Sequence, residues 1–269
     1  LISPDHFQVC REALCTTRGM FTTDFGSVKT SSTGVDQLLE SKRVALQSDL
    51  FIKEHGIFTV VPYMAHYLPG VEIVPIAVAI APAWTMAEQD YFVQIITKLM
   101  TDKTVLVVSS DFSHYLPLAE SDQMDEATAQ SIFSKNFTGI SGLNNSDQSD
   151  CPHCLLLLAR VADKLDFYNP SVLQHTNSAR LLEDETVQST TSHFSMAWYA
   201  NDTLSQRDIT LAGDLTVTRT GHTSLSAAKQ KFWEGSGARI VNLEGPLAED
   251  CPAENNPYIF CNPLERWQA

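Results

Sequence analysis

Four residues able to hold a metal or move a proton fall in or beside predicted loops: His6, His55, Asp111 and His114. His6 lies in Ser3-Pro4-Asp5-His6-Phe7, just after a predicted strand that ends at Ile2. His55 follows Glu54 at the end of a helical region. Asp111 and His114 belong to Ser109-Ser110-Asp111-Phe112-Ser113-His114, at the exit of an apolar run. Imidazole and carboxylate together suit Fe, Zn, Cu or Mn, and two histidines with one carboxylate leave coordination positions open. A single loop histidine is more often a cap or a solvated side chain, and Ser-Ser-Asp is also an ordinary turn sequence. Several such residues at one edge carry more weight, because open α/β sheets bind ligands beyond the carboxyl ends of their strands.

The elements that must position these residues follow from hydrophobic periodicity. Residues 71–78 and 104–108 read as buried strands, and 192–199 as a closing strand. Residues 87–100 carry Phe92, Ile95, Ile96 and Leu99 near helical spacing, and 121–135 and 152–166 read as further helices. Pro152 suits a first helical turn, with Asp150 as its cap. Residues 19–35 are rich in Gly, Ser and Thr and read as loop, and 35–50 contain two short helical patterns with Asp36 as an N-cap. Strands alternating with helices predict a layered α/β architecture. A polar stretch at 201–207 marks a boundary near residue 205, giving units 1–205 and 206–269; the second begins with a strand, a helix and another strand.

Eighteen basic residues against 32 acidic ones give a formal charge of −14. That balance repels phosphate backbones, so nucleic acid is excluded as a partner and a small-molecule or peptide ligand is expected. No run reaches the roughly 18–20 apolar residues of a membrane span. The chain begins inside a strand, so upstream sequence is expected, and the location stays open between cytoplasm and cell envelope. Of the six cysteines, Cys151 and Cys154 form a CxxC that suits a redox pair or half a zinc site, and Cys251 and Cys261 are spaced to close a late loop. Most are expected to be buried or free thiols.

Ile2-Ser-Pro-Asp-His-Phe7, Glu54-His55-Gly-Ile57, Val74-Pro-Ile76 and Ser109-Ser-Asp-Phe-Ser-His-Tyr115 occur in the order and approximate spacing of the Memo family, also called AmmeMemoRadiSam system protein B. Asp36, Pro62 and His175-Thr-Asn-Ser178 also resemble that family, over about 200 residues. The resemblance implies a fold similar to class III extradiol dioxygenases, with His6 and His55 lining a metal site beside Asp111 and His114. His114 would then be the general acid/base and Asp111 its orienting partner or a ligand. The family's third ligand is a cysteine before a helix. Here Gln148 stands at that position, which leaves Asp150 or Cys151 as the third ligand to Fe, Cu or Zn.

Ile209-Thr-Leu-Ala-Gly-Asp214 and Ile240-Val-Asn-Leu-Glu-Gly-Pro246 resemble the opening of the CapA family of capsule and poly-γ-glutamate synthesis. The resemblance implies a metallophosphatase-like β-α-β start, with Asp214, Asn242 and Glu244 as early positions of an Mg or Mn site. Three functions are therefore expected: a metal-dependent redox or dioxygenase-type enzyme, a non-catalytic ligand-binding module, or an accessory to a CapA-like hydrolase.

Overall fold

The central sheet is built from short strands whose alternate side chains enter two different apolar layers. A computed structural model of the chain describes residues 1–80 and 83–199, and beyond them only short strands at Thr210–Ala212, Arg239–Val241, Leu247–Ala248 and Asn262–Pro263. In chain order the first half runs β1 (Ile2–Pro4), β2 (Leu14–Thr16), β3 (Phe21–Thr23), β4 (Gly26–Thr30), α1 (Ser32–Leu39), β5 (Val44–Leu46), α2 (His55–Phe58), α3 (Val61–Tyr67), β6 (Glu72–Ile73) and β7 (Ile76–Val78). The second half runs α4 (Met86–Leu99), β8 (His114–Leu116), α5 (Leu118–Phe133), α6 (Phe137–Ser141), α7 (Pro152–Lys164), β9 (Ser171–Asn177), α8 (Ser178–Leu182) and β10 (Thr190–Ala197).

The central sheet has the order β1-β7-β2-β5, with β1 parallel to β7, β2 antiparallel to β7 and β2 parallel to β5. Successive strand residues point to opposite faces. Ile2, Leu14, Ile76 and Val78 accordingly pack with Phe92, Val93 and Ile96 of α4 and Leu157 and Val161 of α7. Leu1, Cys15 and Ala77 enter the other layer, with Ile57 of α2 and Val61 and Met64 of α3. Burying a side chain such as Phe92 or Leu157 contributes about 1.5–3 kcal/mol. These helices cover both faces, which gives a mixed α/β fold. A third cluster, including Phe112, Ile140, Leu156 and Met196, joins α6 and α7 to the antiparallel sheet β8-β10-β9.

Several expectations are revised. Residues 19–35 are not loop: β3 and β4 pair as a hairpin, with Gly26 at φ +117° where a side chain would be strained, and β4 pairs in parallel with β6. The N-cap of α1 is Ser31, whose hydroxyl accepts from Gly34 N, while Asp36 lies within the helix and pairs with Arg18. Residues 71–78 split into β6 and β7 on either side of Val74-Pro75. Residues 104–108 make only a bridge from Val108 to Ile2 rather than a full strand. The predicted helices at 87–100, 121–135 and 152–166 are present, each with shifted ends; Thr85 and Glu88 form a reciprocal capping box on α4. Cys10 is bonded to Cys15 and Cys151 to Cys154, so these four are disulfides rather than free thiols; Cys251 and Cys261 lie outside the described residues.

Candidate metal centre

Two local devices turn His6 and His55 toward each other. After β1, the buried Asp5 carboxylate accepts from Phe7 N at 3.2 Å and Cys10 N at 2.6 Å, folding the chain back on itself with Gln8 at φ 53°. This Asx-type turn carries His6 at its corner. Glu54 caps α2 by accepting from Gly56 N, so His55 becomes the first residue of that helix. The two imidazole rings lie 3.8 Å apart, centroid to centroid, at 33°.

A third element supplies a carboxylate from far along the chain. Asp150 Oδ2 lies 3.1 Å from His6 Nε2, and its Oδ1 accepts from Ser110 Oγ at 2.6 Å. The backbone N–H of Asp150 donates to the Asp111 carbonyl at 3.2 Å, which ties the approach to α7 to the Ser109–Asp111 segment. On the opposite side of the ring, His6 Nδ1 meets Glu54 Oε1 at 2.5 Å.

The electrostatics follow from this arrangement. Burial opposes charge on His6, but the hydrogen bonds to Asp150 and Glu54 and their negative charges outweigh it and raise its pKa to about 10. His55 moves the other way: loss of solvent around its ring and the positive charge of His6 lower its pKa. His6 Nε2 and the Asp150 carboxylate thus face each other at a place suited to a cation. The His6–Asp150 pair fits one. Metal–nitrogen and metal–oxygen bonds of about 2.0–2.2 Å put neighbouring donors on one ion roughly 3–3.5 Å apart, and His6 Nε2 and Asp150 Oδ2 lie 3.1 Å apart. His6, Glu54 and His55 also offer atoms all within 4.8 Å of one another.

The other expected residues are distributed differently. Asp111 adjoins Asp150 through the backbone, and its carboxylate lies 4.0 Å from Nδ1 of His193, a buried histidine of β10. His114 is buried, with Nδ1 2.9 Å from the Phe112 carbonyl, and packs edge-on against Tyr115. Cys151 caps α7, accepts from Cys154 N at 3.2 Å and lies in the apolar layer with Ile2 and Leu157, so as a disulfide it offers the site no thiolate. Asp150, expected as the cap of that helix, instead turns its carboxylate to His6. Asp214, Asn242 and Glu244 lie outside the described residues.

Sequence reasoning missed Glu54 and His193 as members of this region. Glu54 had a signal, since an acidic residue directly before a short helix is a natural cap. His193 had none, being one of several polar residues in a strand pattern.

A second group, Asp122, Asp125 and His175, has the same metal-capable residue types. Asp125 is fully buried; its Oδ1 accepts from Ser192 Oγ at 2.6 Å and Ser113 N at 3.1 Å, and its Oδ2 faces His175 Nε2 at 2.7 Å. Asp122 is held by both terminal nitrogens of Arg180. Here the carboxylates serve to join α5, β9, β10 and α8.

A family model described as Memo-like protein matches residues 1–194. The chain belongs to the Memo family. Among similar proteins, a MEMO1 family protein of Pyrobaculum aerophilum is 26% identical over 195 residues, covering 70% of this chain and 68% of that protein. One from Sulfurisphaera tokodaii is 25% identical over 191 residues, 66% of this chain and 64% of its own length. One from Methanococcus maripaludis is 24% identical over 137 residues, 49% and 48% respectively. The chain thus spans between about half and two thirds of these relatives. The Memo resemblance of the sequence is borne out over this region, and the match carries nothing about residues 206–269. Among the described residues, no helix is long and apolar enough to cross a membrane.

Proposed function

We propose that His6, His55 and Asp150 form a mononuclear centre for a divalent transition metal (Fe, Cu or Zn), and that the Memo-family domain uses it on a small-molecule ligand. The observation that carries this reading is the approach of Asp150 to His6 Nε2 beside the His55 ring, across 144 residues of sequence. Asp150 takes the third-ligand role, in preference to Cys151. A bound metal would supply Lewis-acid or redox chemistry at its open positions. The protein's own residues do the rest. Glu54 holds His6 Nδ1, Ser110 orients Asp150, and Asp111, His193 and His114 lie on the adjoining segments to take or give a proton. Of the enzymatic readings, a redox or dioxygenase-type reaction suits two imidazoles and one carboxylate.

The test is metal content of the anaerobically purified protein beside its His6→Ala/His55→Ala variant. Near-stoichiometric metal that vanishes in the variant supports the centre; equal metal in both removes these histidines from it. A second reading, a non-catalytic ligand-binding module, is favoured by the charged His6 already balanced between two carboxylates without a metal. Ligand affinity unchanged by chelation would favour that module. The CapA-like reading of 206–269, with its boundary near residue 205 and an Mg or Mn site at Asp214, Asn242 and Glu244, rests on the sequence motifs alone. Hydrolysis of a phosphoester or envelope polymer by the intact chain, lost on Asp214→Ala, would support it.

A further inference from the structure

Glu54 is fully buried, yet it is next in sequence to His55 and in contact with His6. A carboxylate has about four lone-pair positions for hydrogen bonds. Four donors lie within reach of this one. His6 Nδ1 at 2.5 Å, Gly56 N at 3.1 Å and Ser3 Oγ at 3.3 Å face Oε1, and His6 N at 3.1 Å faces Oε2. Oε1, the oxygen that meets the His6 ring, is thereby fully engaged, and Oε2 is turned to the His6 backbone N–H. β1 and α2 are pressed tightly together here, because a Cβ on Gly56 would come within 2.2 Å of Ser3 Oγ.

Three of the contacts do distinct work. One fixes the ring of His6 and directs its Nε2 toward Asp150. One fixes the backbone of His6. One caps the helix that starts at His55. We propose that Glu54 is the positioning residue of the centre: a single buried carboxylate aligns both imidazoles before metal arrives and is not itself a ligand. The inference rests on the metal-centre reading above, but its geometric half holds in the metal-free protein. Donation of Nδ1–H to a carboxylate leaves Nε2 as the coordinating atom and increases its basicity, the usual role of an outer partner to a ligating histidine.

The experiment compares wild type, Glu54→Gln and Ser3→Ala in three measurements. Zinc affinity is read by competition with a chromophoric chelator, the donor set at saturation by X-ray absorption, and the His6 ring by ¹H–¹⁵N spectra of metal-free protein. Glu54→Gln keeps the shape and weakens the acceptor, so zinc affinity should fall roughly 10–100-fold while the donor set at saturation stays unchanged. Ser3→Ala should lower affinity a few-fold, and it carries the test if Glu54→Gln lacks a cooperative unfolding transition. In metal-free wild type the His6 Nδ1–H signal should be far downfield, and it should move in Glu54→Gln while the His175 signals hold.

Loss of an oxygen donor from the saturated Glu54→Gln centre would make Glu54 a ligand and overturn the proposal. Affinity within twofold of wild type would also overturn it. If wild type takes up no zinc, the metal reading fails separately, and the His6 signals still decide whether Glu54 sets the ring.

Discussion

The His6 and Asp125 clusters are built from the same chemistry and reach opposite ends. Each sets a histidine against a fully buried carboxylate, Glu54 in one and Asp125 in the other. At Asp125 the bonds run to Ser192, Ser113 and His175, and the neighbouring Asp122 is neutralised by Arg180. At His6 a second carboxylate, Asp150, approaches the far nitrogen of the ring, and an exposed second histidine lies alongside. A buried carboxylate surrounded by donors from several elements holds a fold together. His6 is instead held from behind, with its other nitrogen facing a further carboxylate, the arrangement proposed above as a ligand site. Residue type alone does not separate the two; the partner of each polar atom does.

Ligand substitutions should break the comparison most sharply. His6→Ala/His55→Ala is expected to abolish bound metal, and Asp150→Asn to weaken it by more than the roughly 10–100-fold typical of outer partners. His175→Ala should leave metal content unchanged. Elemental analysis and chelator competition check all three, and equal losses on both sides would erase the distinction.

Next in size is the stability side. Asp125→Ala strands the buried Ser192 Oγ and Ser113 N and removes the partner of the exposed His175, and leaving a buried donor unsatisfied costs about 1–3 kcal/mol. Urea denaturation of the metal-free protein should show this loss, with stoichiometric metal retained wherever the variant stays folded. Loss of metal at full stability would place Asp125 in the wrong class.

A pH experiment sharpens the contrast within the first cluster. The folded pKa of His6, about 10, lies above its unfolded value of about 6.5. Its contribution to the stability of the metal-free protein is therefore complete below about pH 6.5 and lost as pH rises through about 10. His55 is shifted downward, so its contribution is present above the unfolded value and lost as pH falls through the folded one. The melting temperature of wild type should fall more between pH 7 and 10 than that of His6→Gln. Parallel curves would contradict the ion pair.

The smallest effect is expected at the edge of the second cluster. Asp122 and Arg180 are about 40% exposed, so solvent screens their pair. Asp122→Ala should cost less than about 1 kcal/mol. A larger loss in urea titration would mean that Asp122 is coupled to Asp125.

Local signals were legible where they depended on neighbours a few residues away. The helix from Met86 to Leu99 followed from Phe92, Ile95, Ile96 and Leu99, and α7 from Pro152 and its apolar face. The hairpin at 21–30 was illegible, because Gly, Ser and Thr mark both a loop and a short half-exposed strand pair. Strand β9, with mostly exposed side chains, gave no apolar pattern to read. In the site, the motifs identified His6, His55 and Asp111 as members of one region. They did not distinguish Asp150 from Cys151, or bring in His193.

The sequence by itself determined the family, the alternation of helices and strands, and the two histidines, since these are written in residue type, order and short-range period. Tertiary structure decided which carboxylate meets which imidazole. Asp150 reaches His6 only because α7 packs on the face of the sheet that β1 helps to form, and because the Asp111 carbonyl pins the turn before that helix. Cys151, one residue later, faces the apolar layer instead. Adjacent side chains at a helix entrance point in different directions, so one step along the chain separates a carboxylate at His6 from a core residue. That choice is made by packing, which spacing does not encode.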